Sequence, residues 1–518
     1  MKTCTELKIT YTTASADMAA IHDCFDSALA EVRSELGKTY PLFANSEPPI
    51  VDLCPMDSSL VLGRFAAATA EQAAEAVEAA ARTKALWGTR TSWQERVRII
   101  RKAASLIRER KFRIAAILSL EVGKSRLEAL GDVEESADLL EYYARQMEEH
   151  GGFARKMDSL SPLESNTSVL RPYGVFVCVG PFNFPMALPA GMSSGALLAG
   201  NTVVFKPSQD APWAGLCLYE AYRDAGVPAG AFQFVPGRGS VMGDVLWKHP
   251  KVDGVVFTGS KEVGMRMFRS FSSNWVKPCH LELGGKAPVV VMDSADLDAA
   301  AEGVFRSAWG FQNQKCSAAS RVYVHKKVAK PFLDKLIALT RALKAGDPTR
   351  RDIVYGPLIN ENAFKTWQKA VDLAKKEGAI LHGGNRLTDG DLAKGWFVEP
   401  TIVKAPVSSR LFQDEFFVPI LAVAEVESLD QALAESNKTE YGLTAGIFSR
   451  KQDEIQRFFD EAEFGVVYAN RRGGATTGAW PGCQPFTGWK GSGAGGKGGL
   501  GPYYVAQFMR EQSRTVVS

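Results

Sequence analysis

The stretch GVFVCVGPFNFP, residues 174–185, contains the first of the short apolar runs that decide the fold. Four such runs lie at Val175–Val179, Thr202–Phe205, Phe232–Val235 and Gly254–Phe257. Each ends near Gly, Pro or Lys, and helical or small-residue stretches fill the intervals between them. Short apolar strands that alternate with helices predict a parallel sheet with helices on its faces. This region therefore predicts an α/β domain.

The same alternation resumes further along the chain. The patterns there predict a strand, a helix, a strand and a helix, at residues 287–292, 295–310, 321–325 and 328–345. We interpret them as a second α/β domain, with the boundary near residue 282. Toward the N-terminus, helices are predicted at residues 69–88, 93–110 and 127–147. Ser92 and Glu95 have capping-box spacing at the start of the second of these helices.

The composition argues against several classes of protein. A net charge of +3 over 518 residues is too small to suggest a nucleic-acid partner or a membrane surface. No apolar run reaches the roughly 18 residues of a transmembrane helix, and the first residues lack the apolar segment of a signal peptide. The eight cysteines show neither zinc-ligand spacing nor a disulfide framework. We therefore expect no metal site, no disulfide and a reducing, cytoplasmic location.

Two strand ends carry groups suited to a nucleotide. Ligands of open parallel sheets bind beyond the carboxyl ends of the strands, and FKPSQ (205–209) and FTGSKEVG (257–264) stand at such ends. Lys206 is a cation placed to reach ribose hydroxyls or a phosphate. Gly259 and Gly264 bracket the start of a helix, whose free N–H groups bind phosphate. A solvated lysine and an ordinary glycine turn are the alternative interpretations.

Three residues have the chemistry of covalent catalysis on a carbonyl group. Cys316, in GFQNQKCSAASR, lies between a predicted helix and a predicted strand, where a thiolate can act as nucleophile. Glu282, in HLELGGK, is a carboxylate in an apolar segment and a candidate general base. Asn183, in PFNFP, is an amide that can donate to an oxyanion. A buried structural cysteine, a salt-bridged glutamate and a turn-capping asparagine remain the alternatives.

Six segments in order resemble one family. PFNFP, GNTVVFKPS, FTGSKEVG, LELGGK, QKCS and DEFFVP together resemble the aldehyde dehydrogenase superfamily from about residue 65 to the C-terminus. The resemblance implies an α/β fold with a modified Rossmann domain, a catalytic domain and a small β-extension for homo-oligomerisation. We assign residues 1–282 to the N-terminal region and dinucleotide-binding domain, 283–470 to the catalytic domain, and 471–518 to a substrate loop and an oligomerisation segment. A β-hairpin near 152–172 is expected to contribute to the oligomer.

The resemblance also implies a role for individual residues. Cys316 matches the nucleophile, Glu282 the general base and Asn183 the oxyanion donor. The positions that match cofactor contacts are Lys206, Ser208, Gln209, Gly259, Ser260, Gly264, Glu415 and Phe417. The implied cofactor is NAD. Many family members carry at position 209 a glutamate that would repel a 2′-phosphate, so Gln209 leaves NADP possible.

Two further segments, residues 121–146 and 476–509, resemble a narrower group, the 1-pyrroline-5-carboxylate dehydrogenases of proline catabolism. That group oxidises glutamate γ-semialdehyde to glutamate. The positions that match its substrate contacts are Glu135, Phe184, Ser317, Gly478, Ala479 and Phe486. The chain departs from the group at Trp480-Pro481, Thr487 and Asn313, and a tryptophan in the substrate loop is expected to reshape the pocket. Alternatives are another acidic semialdehyde, such as succinate semialdehyde, or a binding role without turnover.

Overall fold

A computed structural model of the chain describes residues 4, 9–10, 18–43, 47–273, 275–473, 479–494 and 497–518. The α-helices are α1 (Met18–Arg33), α2 (Ala70–Ala85), α3 (Trp93–Glu109), α4 (Lys111–Val122), α5 (Arg126–Glu149), α6 (Ala187–Leu198), α7 (Pro212–Ala225), α8 (Gly239–Lys248), α9 (Lys261–Phe271), α10 (Leu297–Trp309), α11 (Ala329–Arg341), α12 (Glu361–Glu377), α13 (Leu429–Asn437) and α14 (Gln452–Glu461). Short 3-10 helices cover Gly151–Phe153, Gly310–Asn313, Gly390–Lys394, Arg410–Phe412 and Val505–Phe508, and a π-helical turn covers Leu86–Arg90.

The strands in the N-terminal half are β1 (Lys38–Tyr40), β2 (Glu47–Cys54), β3 (Asp57–Ala67), β4 (Ala154–Lys156), β5 (Glu164–Pro172), β6 (Val175–Val179), β7 (Thr202–Lys206), β8 (Phe232–Phe234), β9 (Gly254–Thr258) and β10 (Cys279–Glu282). Those that follow are β11 (Ala287–Val291), β12 (Ala319–His325), β13 (Ala379–His382), β14 (Thr401–Lys404), β15 (Ile420–Val426), β16 (Tyr441–Gly442), β17 (Thr444–Phe448), β18 (Val466–Ala469), β19 (Trp489–Lys490), β20 (Gly493–Ala494) and β21 (Met509–Val517).

Two large sheets organise the chain. The first has the strand order β20-β10-β9-β6-β7-β8, and the second has the order β13-β14-β15-β12-β11-β17-β18. Neighbours run parallel except at one edge of each sheet, where β20 and β13 are antiparallel to their partners. The chain passes from one sheet to the other between β10 and β11, where two glycines, Gly284 and Gly285, form the connection. The alternating α/β pattern predicted from the sequence is confirmed.

The helices cover both sheets and bury separate apolar clusters. One large cluster packs α3, α5, α6 and α7 against one face of the first sheet, and Phe176 and Phe205 contribute from its strands. Strands of the second sheet contribute to two further clusters, one on each face. The predicted cap at Ser92 forms, since its side chain accepts a hydrogen bond of 3.2 Å from the Glu95 N–H. None of the helices in the described ranges has the length and apolar character that crossing a membrane requires.

A three-stranded sheet stands apart from the two large ones. The β4–β5 hairpin pairs antiparallel with β21, in the order β21-β5-β4. Eight of the nine residues of β21 are exposed, although the strand pairs along its whole length with β5. β21 lies within residues 471–518, where the resemblance implies the oligomerisation segment.

The expectation that the chain contains no disulfide is wrong at one pair. Cys4 and Cys24 are bonded, with their Cα atoms 6.0 Å apart. Cysteine spacing did not reveal this pair, because the bond depends on how the N-terminal segment returns to α1. The six remaining cysteines, Cys316 among them, are free thiols. The cysteines therefore give no support for a location in a reducing compartment.

Candidate active site

Two cavities meet at Cys316. A cleft of about 770 Å³ lies on one side and a narrower cavity of about 90 Å³ lies on the other. Cys316 and Thr258 line both of them. A thiol between two cavities can contact one molecule in the cleft and another in the narrow cavity at the same time. We call the first the cleft and the second the inner cavity.

The position of the site follows from the sheet topology. The carboxyl ends of four neighbouring strands of the first sheet, β10, β9, β6 and β7, border the two cavities. The second sheet contributes the loops that enter the amino ends of β12 and β15, which carry Cys316 and Glu415. Ligand sites of parallel sheets lie beyond the carboxyl ends of the strands, and the first sheet follows this rule.

The loop that carries Cys316 is held in an unusual backbone conformation. Phe311, Gln312 and Asn313 have φ values of 49°, 54° and 60°, in the left-handed region. Asparagine tolerates this region, and the Asn313 side chain donates 2.9 Å hydrogen bonds to the carbonyls of Ala308 and Ala319. These bonds tie the end of α10 to the start of β12. Asn313, one of the positions at which the chain departs from the resembled group, therefore stabilises the left-handed turn.

The surroundings of Cys316 disfavour the free thiolate. Burial, followed by the negative charges of Glu282 and Glu415, raises the pKa of the thiol to about 12. Thiolate is the reactive form, so a positive charge brought into the cleft beside Cys316 is needed to lower the pKa of the thiol.

Glu282, the last residue of β10, lines the inner cavity. Burial raises the pKa of its carboxyl to about 8. Its Oε2 atom has no hydrogen-bond partner among the described residues, and no ion pair to Glu282 is found there. The salt-bridged interpretation is therefore not supported. A carboxyl group with this pKa gains and loses a proton near neutral pH, as a general base must.

Asn183 reaches the nucleophile loop from the first sheet. It follows β6, is buried, and lines the cleft together with Cys316. Its Nδ2 donates a 3.0 Å hydrogen bond to the carbonyl of Gln314, two residues before Cys316. The side chain thus bonds across to the second sheet's loop instead of capping its own turn. This places an amide donor beside the reacting thiol.

The two glycines after Glu282 allow close approaches that a side chain would block. A Cβ atom at Gly285 would lie 2.2 Å from the Cys316 carbonyl oxygen, and one at Gly284 would lie 1.9 Å from Glu415 Oε2. The Gly285 N–H donates a 2.8 Å hydrogen bond to Glu415 Oε1. Burial raises the pKa of Glu415 to about 7. The LELGGK segment therefore brings Cys316, Glu282 and Glu415 together.

The cleft contains most of the predicted cofactor positions. Its lining includes Lys206, Ser208, Gln209, Gly259, Ser260, Glu415 and Phe417. Lys206 is buried, which lowers the pKa of its ammonium to about 8, so the solvated alternative is excluded. Ser260 caps α9, and its hydroxyl accepts from the Val263 N–H at 3.4 Å. This helix terminus faces the cleft, as phosphate binding requires.

Gly264 does not line the cleft. A Cβ atom there would lie 2.4 Å from Leu283 Cδ2, so its small size serves the packing of α9 against the strand loop. Its contact with the cofactor stays a prediction. Gln209 does line the cleft and is exposed. Phe417, at φ 58°, packs edge-on against Phe182 with ring centroids 6.0 Å apart.

The inner cavity contains the predicted substrate positions that the structure describes. Its lining includes Glu135, Phe184, Ser317, Ala479 and Phe486. Glu135 is buried in α5 instead of being a solvated helical charge. The remaining predicted substrate residue, Gly478, lies outside the described residues.

Trp480 does not line the inner cavity. Its indole N–H donates a 2.7 Å hydrogen bond to Asp138 Oδ2 on α5. The expectation that this tryptophan reshapes the pocket through its side chain is therefore wrong. The partner is on a helix distant in sequence, so sequence reasoning could not identify it.

Several lining residues were not predicted. Thr258 lies opposite Glu282 in the β9–β10 register and lines both cavities. Lys315 lines the inner cavity, where its Nζ bonds both oxygens of Glu128 at 2.8 and 2.7 Å. Tyr143 and Tyr504 form a stacked aromatic wall, with centroids 4.9 Å apart. Thr258 and Lys315 stand within the quoted FTGS and QKCS motifs, which was an available signal. Tyr143 and Tyr504 stand within the segments 121–146 and 476–509, which resemble the narrower group.

Comparisons with known proteins agree with this geometry. The model of the "Aldehyde dehydrogenase family" matches residues 43–513. The 1-pyrroline-5-carboxylate dehydrogenase 1 of Halalkalibacterium halodurans is 40% identical over 504 residues, which cover 95% of each chain. The 1-pyrroline-5-carboxylate dehydrogenase 2 of Bacillus subtilis is 39% identical over 505 residues, covering 95% of this chain and 96% of the relative. A solved 1-pyrroline-5-carboxylate dehydrogenase from Thermus with bound NAD superposes with a TM-score of 0.92 at 35% identity, covering 98% of each chain.

Proposed function

Because this chain belongs to the aldehyde dehydrogenase family, we propose that it oxidises L-glutamate γ-semialdehyde, the open form of 1-pyrroline-5-carboxylate, to glutamate with NAD. The observation that carries the proposal is the pair of cavities that meet at Cys316, with Glu282 facing the inner one. Relatives about 40% identical bear the name of this activity, and a structural neighbour contains NAD.

The cleft fits a nicotinamide dinucleotide. Its volume is in the range of small-molecule sites, and its lining combines the capped N-terminus of α9 with the buried cation Lys206. We assign Lys206, Ser208 and Gln209 to the ribose end, Gly259 and Ser260 to the phosphates, and Glu415 with Phe417 to the nicotinamide end. When bound, the oxidised nicotinamide supplies a hydride acceptor and a positive charge beside Cys316.

The residues of the chain then perform the carbonyl chemistry. A positive charge near Cys316 lowers the pKa of the thiol, and the thiolate forms a C–S bond with the aldehyde carbon. The Asn183 amide and the Cys316 backbone N–H donate to the resulting oxyanion. Oxidation of this thiohemiacetal leaves a thioester on Cys316. Glu282 takes a proton from water as the water oxygen bonds to the thioester carbon and the thiolate leaves.

The inner cavity has groups that suit an amino-acid head. Glu135 is an acceptor for an ammonium group, whereas the Ser317 hydroxyl and the Ala479 backbone are candidate contacts for a carboxylate. Phe184 and Phe486 supply apolar walls for the methylene groups between the head and the aldehyde. This combination supports an aldehyde that carries both charges.

A substrate panel tests the proposal. We expect NAD reduction, followed by absorbance, to show a higher kcat/KM for glutamate γ-semialdehyde than for succinate semialdehyde, which lacks the ammonium group. The reverse order would overturn the substrate assignment and retain the reaction class. No reduction of NAD or NADP with any aldehyde would favour a binding role. Parallel assays with NADP show whether Gln209 permits the 2′-phosphate.

The proposal includes a homo-oligomer built through the three-stranded sheet. β21 is an exposed edge strand, and an edge strand can pair with another chain. Light scattering at micromolar concentration is expected to show at least a dimer, and deletion of residues 509–518 is expected to yield monomers. A monomeric full-length chain would contradict this. A cytoplasmic location is also part of the proposal, and cell fractionation tests it.

A further inference from the structure

A small cavity adjoins the inner cavity at Glu282, and Met192, Glu282 and Tyr504 line both of them. Its volume is about 20 Å³, and its lining includes His280, Glu282, Thr487, Lys497 and Gln507. His280 and Glu282 are two residues apart on β10, so their side chains point to the same face of the strand. Lys497, which lines the side of the cavity away from β10 in sequence, is an exposed residue. We call this cavity the rear cavity.

Buried polar atoms without partners belong to the residues that line the rear cavity. Among the described residues, His280 Nδ1, Glu282 Oε2 and both side-chain amide atoms of Gln507 have no hydrogen-bond partner. Buried polar atoms are normally paired, because an unpaired one has lost its hydrogen bonds to water without replacing them. A set of four such atoms around one cavity therefore indicates a bound polar molecule.

The dimensions and hydrogen-bonding capacity suit a single water molecule. A water needs roughly 10–15 Å³ of such space and two to four polar partners, and the rear cavity meets both requirements. His280 Nε2 lies 3.2 Å from the Gln507 carbonyl oxygen, which can only accept, so Nε2 carries the proton. Nδ1 is then an acceptor in the neutral ring. Burial lowers the pKa of His280 to about 4, in agreement with a neutral ring.

The reaction proposed above requires Glu282 to lose a proton once per turnover. Glu282 takes a proton from the hydrolytic water and must lose it before the next turnover. Glu282 also lines the inner cavity, but the acyl group on Cys316 occupies that space during hydrolysis. The rear cavity offers a path that the substrate does not block.

We propose that the rear cavity holds a water molecule that carries the Glu282 proton to the surface beside Lys497, with His280 and Gln507 as its positioning residues. The inference rests on the proposed hydrolytic role of Glu282. Glu282 Oε2 gives its proton to the cavity water, and that water releases another proton outward to solvent. No electrons are transferred, and the carboxylate is restored. His280 Nδ1 and the Gln507 amide orient the water without changing their own protonation.

Two variants remove the water's partners while keeping the packing. His280→Phe retains an aromatic ring between Phe176 and Phe508, which lie 6.2 and 5.1 Å from the imidazole by centroid distance. Gln507→Leu removes both amide atoms. The matched control is Phe508→Leu, which disturbs the same packing but supplies no polar atom to the cavity.

The measurement separates hydride transfer from hydrolysis. Full-length enzyme is mixed rapidly with glutamate γ-semialdehyde and NAD, while absorbance follows NADH and a pH dye follows proton release. In His280→Phe and Gln507→Leu we expect an NADH burst with the wild-type rate constant, followed by steady-state turnover and proton release that are slower by about tenfold or more. Phe508→Leu is expected to keep the wild-type ratio of the two phases.

The other outcomes distinguish the two proposals. Unchanged steady-state rates in both variants would overturn the water path. A burst that slows in parallel with the steady state, or an equal selective loss in Phe508→Leu, would show a packing defect and would also overturn it. A wild-type enzyme that reduces no NAD with this aldehyde would instead refute the proposed function. Burst kinetics with a different aldehyde then tests the water path by itself.

Discussion

Replacing Glu282 by glutamine is expected to separate hydride transfer from hydrolysis. The amide is isosteric with the carboxyl, and Glu282 makes no ion pair among the described residues, so the substitution preserves the packing. The Glu282 charge is one of the causes that raise the pKa of Cys316. Removing it lowers the pKa of the thiol, so attack on the aldehyde continues.

The expected magnitude follows from the role and the pKa of the carboxyl. General-base catalysis contributes about 10²–10⁴-fold, so hydrolysis of the thioester is expected to slow by that factor. In the wild type, the pKa of Glu282 is raised to about 8. The carboxyl is protonated and inactive below that pH and becomes active above it. The hydrolytic rate therefore rises about tenfold between pH 7 and pH 9, because the ionised fraction rises from about one-tenth to about nine-tenths.

Rapid-mixing experiments test the role of Glu282 in hydrolysis and the expected rise of the hydrolytic rate with pH. We expect Glu282→Gln to produce an NADH burst approaching one equivalent per active site, followed by very slow turnover without the rise through pH 8. Cys316→Ala is the matched control and is expected to show neither burst nor turnover. Loss of the burst in Glu282→Gln would refute the assignment to hydrolysis alone. If the hydrolytic rate of Glu282→Gln still rises through pH 8, a group other than Glu282 controls the pH dependence.

Three further substitutions have expected outcomes. Asn183→Ala removes the proposed oxyanion donor, so we expect kcat/KM to fall about 10²–10³-fold and the Kd for NAD, measured by fluorescence, to stay unchanged. An unaltered kcat/KM would contradict the proposed role of Asn183. Gln209→Glu places a negative charge in the cleft, which repels a 2′-phosphate, so we expect the ratio of kcat/KM for NAD to kcat/KM for NADP to rise. A fall in this ratio would show that position 209 does not face the 2′-position of the ribose. Trp480→Phe removes only the hydrogen bond to Asp138, which lies outside the inner cavity, so we expect kcat/KM for glutamate γ-semialdehyde to change less than about threefold. A larger loss would show that this hydrogen bond positions the substrate loop.

Much of the fold was predictable, because the patterns involved are local. The four apolar runs form β6, β7, β8 and β9 within one or two residues of the predicted bounds. The helix predicted at 93–110 is α3, Trp93–Glu109, since its apolar stripe and its cap at Ser92 lie within a few turns of chain. The family resemblance predicted the fold beyond these local patterns, and the family assignment is confirmed.

The failures share one cause. Trp480 was expected at the pocket, but it bonds to a helix more than 300 residues away in sequence. The Cys4–Cys24 disulfide was not anticipated. In each case the direction of the side chain depends on a partner from another element, which periodicity along the chain does not encode.

By itself, the sequence determined the order of strands and helices, and it singled out Cys316, Glu282 and Asn183 as candidate catalytic residues, because both follow from local patterns and motifs. Only the tertiary structure decided the electrostatics of the site. It placed the carboxyl ends of the first sheet against the loops that enter the second. This put Cys316 between the cleft and the inner cavity, put Glu282 on the wall of the inner cavity, and raised both pKa values. It also created the rear cavity, whose polar atoms come from β10 and from residues more than 200 positions later. A pKa and a cavity depend on the surrounding volume, and only the packed chain defines that volume.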